Sequence, residues 1–287
     1  MNRNTIVTYS TGSNSITFSC KTPLWITEIT NASGNGIEIS ETQGTGQVGS
    51  TLSSQSVQPR DITVNGVVIK DLEINRRGIL DCILPGVTGR LTIEQNGESW
   101  YIEGTPSQTP EFSDGSSIQQ FQFVLHCPYP YWRSTEDGHS LVAGLLPLFR
   151  FPCNLKNTWW ISRYTGSLFT TVTNSGNVPL AFDLVLQAVT EVTVPEVYHV
   201  ERGTFIRINR TLAAGEKVIV STVYGRKGVV LTLADGTQAN GFKYLDVESD
   251  LNMQLDPGEN TIRYDAGNNR EGLRVKIIAP RGVVAGV

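Results

Sequence analysis

Alternation of apolar and polar residues with a period of two runs through most of the 287-residue chain. Such alternation places one face of a β-strand on a core and the other in solvent. Turn-forming dipeptides separate these segments at a spacing of about ten residues, which is typical of sandwich and barrel proteins. The sequence therefore predicts a mainly β protein. Clear examples are Ile62 with Val64, Leu91 with Ile93, Phe121 with Phe123, Leu184 with Leu186, Val218 with Val220, and Val275 with Ile277.

One segment, residues 71–84, departs from this alternation. Its apolar residues are spaced four apart, which places them on one face of a helix. Asp71 or Asn75 could cap the start of this helix, and Pro85 would stop it. We therefore predict one short helix that lies against a sheet. The spaced pairs are Ile79 with Ile83 and Leu80 with Leu84.

Composition and charge exclude several classes of protein. Charged residues make up 17% of the chain and the net charge is −4, whereas charged residues are about 25% of an average protein. The basic pairs Arg76-Arg77 and Arg226-Lys227 are too small for the basic stripe of a duplex-binding protein. No stretch approaches about 18 consecutive apolar residues, the length of a membrane span. The amino end lacks the apolar segment of a secretory signal, so we expect no membrane partner.

The cysteines do not indicate a metal or redox site. They are widely spaced, and no C-x-x-C pair is present. Buried, reduced thiols in a chain made in the cytoplasm are the favoured interpretation. We predict no metal ligand and no cofactor. The four residues are Cys20, Cys82, Cys127 and Cys153.

Nucleophilic catalysis has few candidate residues. The histidines are His126, His139 and His199. His126 adjoins Cys127, but neighbouring residues of a strand point to opposite faces, so the two side chains would not meet. No Gly-x-Ser-x-Gly elbow is present either. We interpret these histidines as ordinary polar or half-buried residues.

Two pairs of carboxylates would suit a glycosidase: Glu191 with Glu196, and Asp246 with Glu248. Asp246 and Glu248 would lie about 7 Å apart on one strand face, near the separations that glycosidases use. Acids two residues apart also occur by chance on any solvated strand, and that interpretation is favoured. We predict no catalytic residue and no enzyme.

Two stretches look irregular. Residues 31–59 are rich in Gly, Ser, Thr and Gln, and a loop of this length is usually functional or related to assembly. Within it a G-x-G-x-x-G pattern ends at Gly49, but no helix or βαβ unit follows, so we interpret it as a chance match or a flexible loop. The second stretch, residues 127–156, begins with prolines that disfavour regular pairing. The glycines of the pattern are Gly44, Gly46 and Gly49.

The domain boundary is predicted in the second stretch, which gives domains 1–130 and 131–287. Aromatic residues cluster near it. They could form a stacking platform for a sugar or pack between domains. In the tandem Trp pair at most one ring would be a platform, since neighbours on a strand face opposite ways. These residues are Tyr129, Tyr131, Trp132, Trp159 and Trp160.

Several motifs follow one another in a characteristic order along the chain. The most specific is the strand ending in residues 121–130, FQFVLHCPYP, which is similar to an ending F-x-C-P-x-P. The other motifs are residues 57–66, similar to the strand R-x-I-x-L/V-x-G; the helix 71–84; residues 176–179, similar to G-[ND]-x-x-x-P with one residue fewer before the Pro; residues 211–220, similar to L-x-x-G-E-x-x-x-I; and residues 255–262, similar to L-x-P-G-x-N-x-I. In this order the motifs resemble the distal tail protein family of long-tailed, non-contractile phages, although Ser221 stands where an Asp is common in that family.

The resemblance implies a structural protein of the phage tail tip. Its fold would be an N-terminal β-sandwich or split barrel with one helix near residues 71–84, followed by a galectin-like β-sandwich. Six copies would form a ring, made by domain 1–130 around a central channel, with domain 131–287 projecting outward. The ring would join the tail tube protein to the tail-associated fibre or lysin protein and carry receptor-binding proteins. Nucleic acid would pass through the channel only.

The resemblance also gives a location and a role for the first irregular stretch. The protein would be assembled in the bacterial host cytoplasm and lie at the virion tail tip. A closed ring needs two different adhesive faces on each subunit, and low charge is typical of interface cores. Residues 31–59 would be an arm that reaches a neighbouring copy.

Two other functions remain as alternatives. The first is a carbohydrate-binding module that recognises host cell-wall sugars through the C-terminal sandwich, with Trp159 or Trp160 as the platform. The second is a cell-wall hydrolase, which would depend on Asp246 or Glu248.

Overall fold

Strands dominate the structure, a computed structural model that describes residues 5–12, 14–115, 117–147, 162–165 and 168–283, with the backbone alone for 137–147 and 162–165. The described residues form 22 strands, one α-helix and two short 3-10 helices. The predicted mainly β class is confirmed. The chain divides into two compact units, Met1–Glu136 with Gly282–Val287, and Asp137–Arg281. The predicted domains 1–130 and 131–287, as independently folding bodies, stay a prediction.

The elements of unit 1 follow the predicted alternation closely. They are β1 (Ile6–Thr11), β2 (Asn14–Phe18), β3 (Leu24–Thr30), β4 (Ile37–Thr42), β5 (Thr51–Val57), β6 (Arg60–Val68), α1 (Leu72–Cys82), β7 (Gly89–Gln95), β8 (Glu98–Pro106), β9 (Glu111–Phe112), β10 (Gln119–Cys127) and the beginning of β11 (Trp132–Pro147).

Antiparallel pairing in unit 1 wraps one curved sheet around a single core. β2, β1, β7 and β8 pair in that order. The end of β8 pairs with the end of β10, and β10 continues the sheet through β6 to β3. This is the sandwich or split barrel with one helix that the sequence predicts. Its largest fully buried side chains are Trp132, Tyr9, Phe18, Phe123, Ile62, Ile79, Ile83, Leu91, Ile93 and Ile102.

The predicted helix is confirmed as α1, two residues shorter at its C-terminal end. Ile79 and Ile83 are fully buried, as their spacing predicts, whereas Leu84 is exposed. Asp71 occupies the N-cap position with a positive φ, but its side chain makes no capping hydrogen bond. The Asn75 side chain donates to the carbonyl of Lys70 instead.

The prediction of irregular structure for residues 31–59 is wrong. β4 and β5 form an antiparallel hairpin within this stretch, and it pairs with no other strand among the described residues. The hairpin was not predicted because it has no buried face. It therefore lacks the sustained alternation of apolar and polar residues that marks a strand packed on a core.

The second irregular stretch is regular over much of its length. β11 begins at Trp132, directly after Pro128 and Pro130, so the prolines precede the strand rather than interrupt it. Residues 148–156 of that prediction lie outside the described residues.

Unit 2 contains the remaining elements. After the rest of β11 these are β12 (Ser162–Thr165), β13 (Phe169–Asn174), β14 (Asp183–Ala188), β15 (Val192–His199), β16 (Thr204–Arg207), β17 (Thr211–Leu212), β18 (Lys217–Ser221), β19 (Gly228–Thr232), β20 (Gln238–Asn240), the 3-10 turn Phe242–Tyr244, β21 (Gly258–Asn268), the 3-10 turn Arg270–Gly272 and β22 (Leu273–Val283).

Two sheets face each other in unit 2 across a second core. One runs β22, β14, β18, β19 and β20, and the other runs β13, β21, β15 and β16, with β17 also paired to β15. This β-sandwich buries a core of its own, which shares no residue with the core of unit 1. Among its fully buried side chains are Phe182, Leu184, Leu186, Val192, Val197, Ile206, Ile208, Ile262, Tyr264 and Val275.

The described part of the chain contains no helix long and apolar enough to cross a membrane.

Candidate functional site

The hairpin of β4 and β5, here called the arm, is the most exposed element of unit 1. Every residue from 36 to 57 is exposed. A two-stranded hairpin is at best marginally stable in water, and more strands or a packing partner are needed for independent stability. We therefore expect the arm to be stabilised by packing on another protein surface.

One face of the arm carries its exposed aliphatic residues, together with the polar side chains of Gln55, which lies opposite Ile39, and Glu41. Ile37 lies opposite Val57, and Glu41 lies opposite Leu52 after a β-bulge. Because side chains alternate along a strand, Ile39 shares this face with Ile37. Ile37, Ile39 and Leu52 are 56%, 56% and 55% exposed. Exposed aliphatic residues gathered on one face are typical of protein interaction sites.

The opposite face of the arm is polar. Ser40 lies opposite Ser54, and Glu38 lies opposite Ser56. The Thr42 and Ser53 hydroxyls are hydrogen-bonded to each other, with 3.2 Å between their oxygens. The arm therefore has one adhesive face and one face suited to water.

The glycines of the G-x-G-x-x-G pattern form the tip of the arm. Gly46 and Gly49 have positive φ angles of 78° and 80°, a conformation that glycine adopts without strain. The Gly44 amide donates to the Gln47 side chain at 3.0 Å. The pattern therefore makes a turn between two strands and does not precede a helix, as a dinucleotide-binding loop would.

The base of the arm is fixed to the core of unit 1. The fully buried Trp132 donates from its indole nitrogen to the carbonyl of Ala32 at 2.8 Å, and the Arg60 guanidinium donates to the same carbonyl. Burial lowers the pKa of Arg60. Across the base, the Gln58 amide donates to the Gly36 carbonyl at 2.9 Å. These contacts hold the two ends of the arm together and set the direction in which it leaves the unit.

The cluster of aromatic residues after β10 is structural. The rings of Tyr129 and Tyr131 meet edge to face with centroids 5.4 Å apart. The buried Arg133 guanidinium lies 4.8 Å from the Tyr129 ring and 5.4 Å from the Tyr101 ring. These rings are occupied by protein neighbours. Trp159 and Trp160, the other candidate platform, lie outside the described residues.

The candidate carboxylates do not form a glycosidase pair. Asp246 and Glu248 lie in a turn, not on the predicted strand face, because the Asp246 carboxylate accepts the Glu248 amide at 2.9 Å. That hydrogen bond is the largest cause of a lowered Asp246 pKa, followed by the Asn209 amide and the Arg207 guanidinium. A glycosidase acid needs a raised pKa. The prediction that the two carboxylates share a strand face is wrong, because the pair lies in a turn.

Glu196, which the sequence pairs with Glu191 as a candidate, is held by two arginines. Its carboxylate lies 2.6 Å from Arg207 and 3.5 Å from Arg263. The two guanidinium groups also cover aromatic rings of the same sheet, Arg207 over Phe205 and Arg263 over Tyr198. One face of each ring is therefore covered by a guanidinium group.

The described histidines and cysteines do not form a catalytic pair. His126 is exposed and lies 2.7 Å from the Asp61 carboxylate. Cys127 points into the core, and burial raises the pKa of its thiol to about 12. His199 is fully buried and accepts the Arg202 amide at Nδ1, so Nε2 donates to the Asn260 side chain at 3.0 Å. The side chain of His139 lies outside the described residues.

Within the described part of the chain, no group of three or more His, Cys, Asp or Glu side chains is arranged so that it could hold a metal ion. The side chains of Cys82 and Cys127 are buried, and Cys20 is exposed.

The sequence analysis singled out residues 31–59 but missed the hairpin within them and the aliphatic residues on one of its faces. The signal was present as Ile37-x-Ile39. Its partner strand, residues 51–57, reads TLSSQSV, in which the bulge at Ser53 breaks the alternation. A hairpin with a bulge and one partly apolar face therefore looks like a polar loop.

Comparison with known proteins relates the chain to phage tails. Residues 175–276 match the family model described as siphovirus-type tail component, C-terminal domain. The structure is similar to that of the Dit (gp 19.1) protein of phage SPP1, described as a paradigm of the hub adsorption apparatus in phages that infect Gram-positive bacteria. The TM-score is 0.66 and the identity 14%, over 96% of this chain and 98% of that chain.

Two further solved structures share the fold. They are chains of the phage P2 baseplate in its activated conformation, one with calcium and one with strontium. Each has a TM-score of 0.54 and an identity of 10%, over 96% of this chain and 97% of that chain. No curated protein matches the chain. The predicted resemblance to distal tail proteins is confirmed by the family model and by the fold.

Proposed function

We propose that the chain is a structural protein of the phage tail tip, a hub subunit six copies of which close into a ring, because residues 175–276 match the model of a siphovirus-type tail component. Unit 1 makes the ring around a central channel. Unit 2, a galectin-like sandwich, projects outward. The role requires neither catalysis nor a cofactor.

The arm is the observation that carries this proposal. A closed cyclic ring is built from heterologous contacts, in which one face of a subunit meets a different face of the next. The arm presents exposed aliphatic residues on one face that nothing in its own unit covers, including Ile37, Ile39 and Leu52. Its base is hydrogen-bonded to the core through Trp132, so it leaves the unit in a defined direction. Each arm packs on the neighbouring copy.

The proposed ring has partners at both ends. It joins the tail tube protein to the tail-associated fibre or lysin protein, and it carries receptor-binding proteins. It is assembled in the cytoplasm of the bacterial host and functions at the virion tail tip. The low charged share of the chain, 17%, supports this role, because the cores of interfaces are depleted in charge.

Mass measurement of the full-length chain tests the ring. We expect native mass spectrometry to give six times the chain mass of 31.4 kDa, either alone or after mixing with the tail tube protein. The triple variant Ile37→Ser, Ile39→Ser, Leu52→Ser should dissociate into smaller species. Its matched control, Ser40→Ala with Ser54→Ala, changes the polar face of the same hairpin and should leave the mass unchanged.

Two outcomes separate the parts of the proposal. A wild-type chain that stays monomeric both alone and with the tube protein contradicts the ring itself. A triple variant that still forms the wild-type hexamer leaves the ring in place and contradicts the role of the arm. Circular dichroism of both variants should match wild type, because the changed residues make no contact with either core.

A further inference from the structure

A groove of about 540 Å³ lies on the outer face of unit 1, across strands β3, β6, β10 and β9. Its volume is within the range of about 300–1,000 Å³ that small-molecule sites occupy. Its polar lining consists of Thr27, Asn65, Glu111, Ser113, Gln120 and Gln122. It lies in one unit and is separate from the arm.

The register of the strands aligns the polar residues in two rows. Asn65 lies opposite Gln122, which lies opposite Glu111. In the next row Gln120 lies opposite Val67, which lies opposite Trp25. Since directly opposed residues of antiparallel strands share a face, both rows face the solvent side of the sheet.

The side-chain amides of Asn65, Gln120 and Gln122 make no hydrogen bond to any described residue, although each amide offers both donors and acceptors. The amide groups are therefore available to a ligand. Glu111 accepts a hydrogen bond from Gln108 at one carboxylate oxygen, at 3.2 Å, and its second oxygen accepts none from the residues that the structure describes.

The backbone around these side chains is fixed. A β-bulge places Thr27 over the sheet, where its hydroxyl donates to the Asn65 carbonyl at 3.1 Å. The Ser113 hydroxyl accepts a hydrogen bond from the backbone amide of Gln120 at 2.9 Å. Polar groups carried by paired strands are held more precisely than groups on loops, so the groove is organised before a ligand arrives.

An aromatic ring lies in line with the second row. Trp25 is 41% exposed, and its indole nitrogen donates to the Thr22 carbonyl at 2.8 Å. The hydrogen bond fixes the ring while leaving part of its surface in solvent. Amphipathic rings of this kind pack on ligands that are apolar on one side and polar at the edges.

We propose that this groove binds a short neutral saccharide. Sugar hydroxyls both donate and accept hydrogen bonds, as the three free amides do, and the Trp25 ring would pack on the apolar face of a sugar. The lining contains one carboxylate and no cation, which disfavours phosphate and other anions. This site goes beyond the proposed ring and does not depend on it.

The test is binding of the full-length protein to a glycan array that carries neutral and acidic oligosaccharides, followed by titration with maltotriose and tri-N-acetylchitotriose. We expect retention of neutral glycans and saturable binding of at least one of the two trisaccharides. The double variant Asn65→Ala, Gln122→Ala should weaken binding by at least about tenfold, the loss expected when two polar contacts disappear. Trp25→Ala should weaken it as well.

The matched control is Gln187→Ala, an exposed glutamine on strand β14 of unit 2, which should bind as wild type does. The melting temperatures of all variants should agree with wild type, so that a loss of binding reports on the groove. Absence of binding to any neutral glycan, a preference for acidic glycans, or an equal loss in the Gln187→Ala control overturns the proposal.

A second copy of the chain is the competing occupant, and cross-linking distinguishes it. In the assembled protein, a Gln122→Cys variant in a Cys20→Ser background, labelled at this cysteine with benzophenone maleimide and irradiated, should form no cross-link to another copy. A cross-link from this cysteine into another copy shows that the groove is an interface, and it overturns saccharide binding while leaving the ring intact.

Discussion

Gly66 shows how tightly a single position in unit 1 is packed. A Cβ atom at this glycine would lie 2.3 Å from the Phe121 ring and 2.5 Å from the carbonyl oxygen of Trp25. Neither neighbour can retreat without moving a strand, since both belong to strands paired with β6. The position therefore requires glycine because of space rather than because of its backbone conformation.

We predict that Gly66→Ala lowers the free energy of unfolding of unit 1 by about 1–3 kcal/mol, the usual cost of overpacking. Gly78→Ala is the matched control. Gly78 lies inside α1 with open space around it, so alanine should stabilise the helix by about 0.5–1 kcal/mol. Urea denaturation followed by tryptophan fluorescence measures both changes. Equal effects of the two substitutions would contradict the packing argument.

Val194 is a strained residue in unit 2. Its φ angle is 46°, in a region that β-branched residues rarely adopt. Its amide donates to the Arg210 carbonyl at 3.1 Å, and the carbonyl of Pro195 accepts the Ile208 amide at 3.0 Å. Hydrogen bonds on both sides therefore hold the backbone in this conformation.

We predict that Val194→Asn raises the melting temperature of unit 2 by about 2–4 °C, because asparagine tolerates the left-handed conformation and the strain is worth about 1 kcal/mol. Val200→Asn is the control, since Val200 is also partly exposed but is not among the residues with positive φ. Differential scanning calorimetry compares the two. A melting temperature for Val194→Asn below that of Val200→Asn would show that the strain argument fails.

At the scale of elements, two carboxylates tie the β15–β16 hairpin to the start of β21. Both oxygens of Glu201 accept the Thr261 amide at 2.9 Å, and this hydrogen bond lowers the Glu201 pKa. The Asp256 carboxylate accepts hydrogen bonds from Arg202, which lower the Asp256 pKa. The buried His199 lies beside both groups and contributes to both shifts.

Acidification should therefore loosen this corner of unit 2. A carboxyl whose pKa is lower in the folded state stabilises the protein above its unfolded pKa of about 4, and this stabilisation is lost as the pH falls below that value. We predict that the melting temperature of unit 2 falls between about pH 5 and pH 3, and that Glu201→Gln makes the fall shallower. Glu259→Gln, an exposed residue of β21, is the control and should leave the slope unchanged. An identical slope in Glu201→Gln and wild type would exclude this carboxyl as a cause.

Elements with a buried face could be predicted from sequence, whereas those without one could not. The β7–β8 turn at Asn96-Gly97 and the helix face at Ile79 and Ile83 follow from local chemistry that the printed residues carry. The arm has no buried face, and its only alternation, Ile37-x-Ile39, is too short to mark a hairpin whose second strand is interrupted by a β-bulge. The groove of unit 1 depends on the pairing of β3, β6, β10 and β9, which are distant in sequence, so only the fold brings its amides together.

At the scale of the whole molecule, the two cores are built separately. The core of unit 1 includes Phe123 and Val283, and the core of unit 2 includes Leu186 and Ile262, with no residue in common. Val283 belongs to the C-terminal end of the chain, yet it is buried in the core of unit 1. Each unit contains enough buried apolar surface to unfold as a cooperative body.

Calorimetry of the full-length chain should therefore resolve two unfolding transitions. Phe123→Ala should lower the melting temperature of one transition and Leu186→Ala that of the other. Each truncation of a buried side chain should reduce the free energy of unfolding of its unit by about 2–5 kcal/mol. Removal of residues 282–287 should lower the transition of unit 1 alone, because Val283 fills part of that core. If the predicted domains 1–130 and 131–287 fold independently, each substitution should change the melting temperature of only one transition. A single transition that all three changes shift together would show that the two units unfold as one cooperative body.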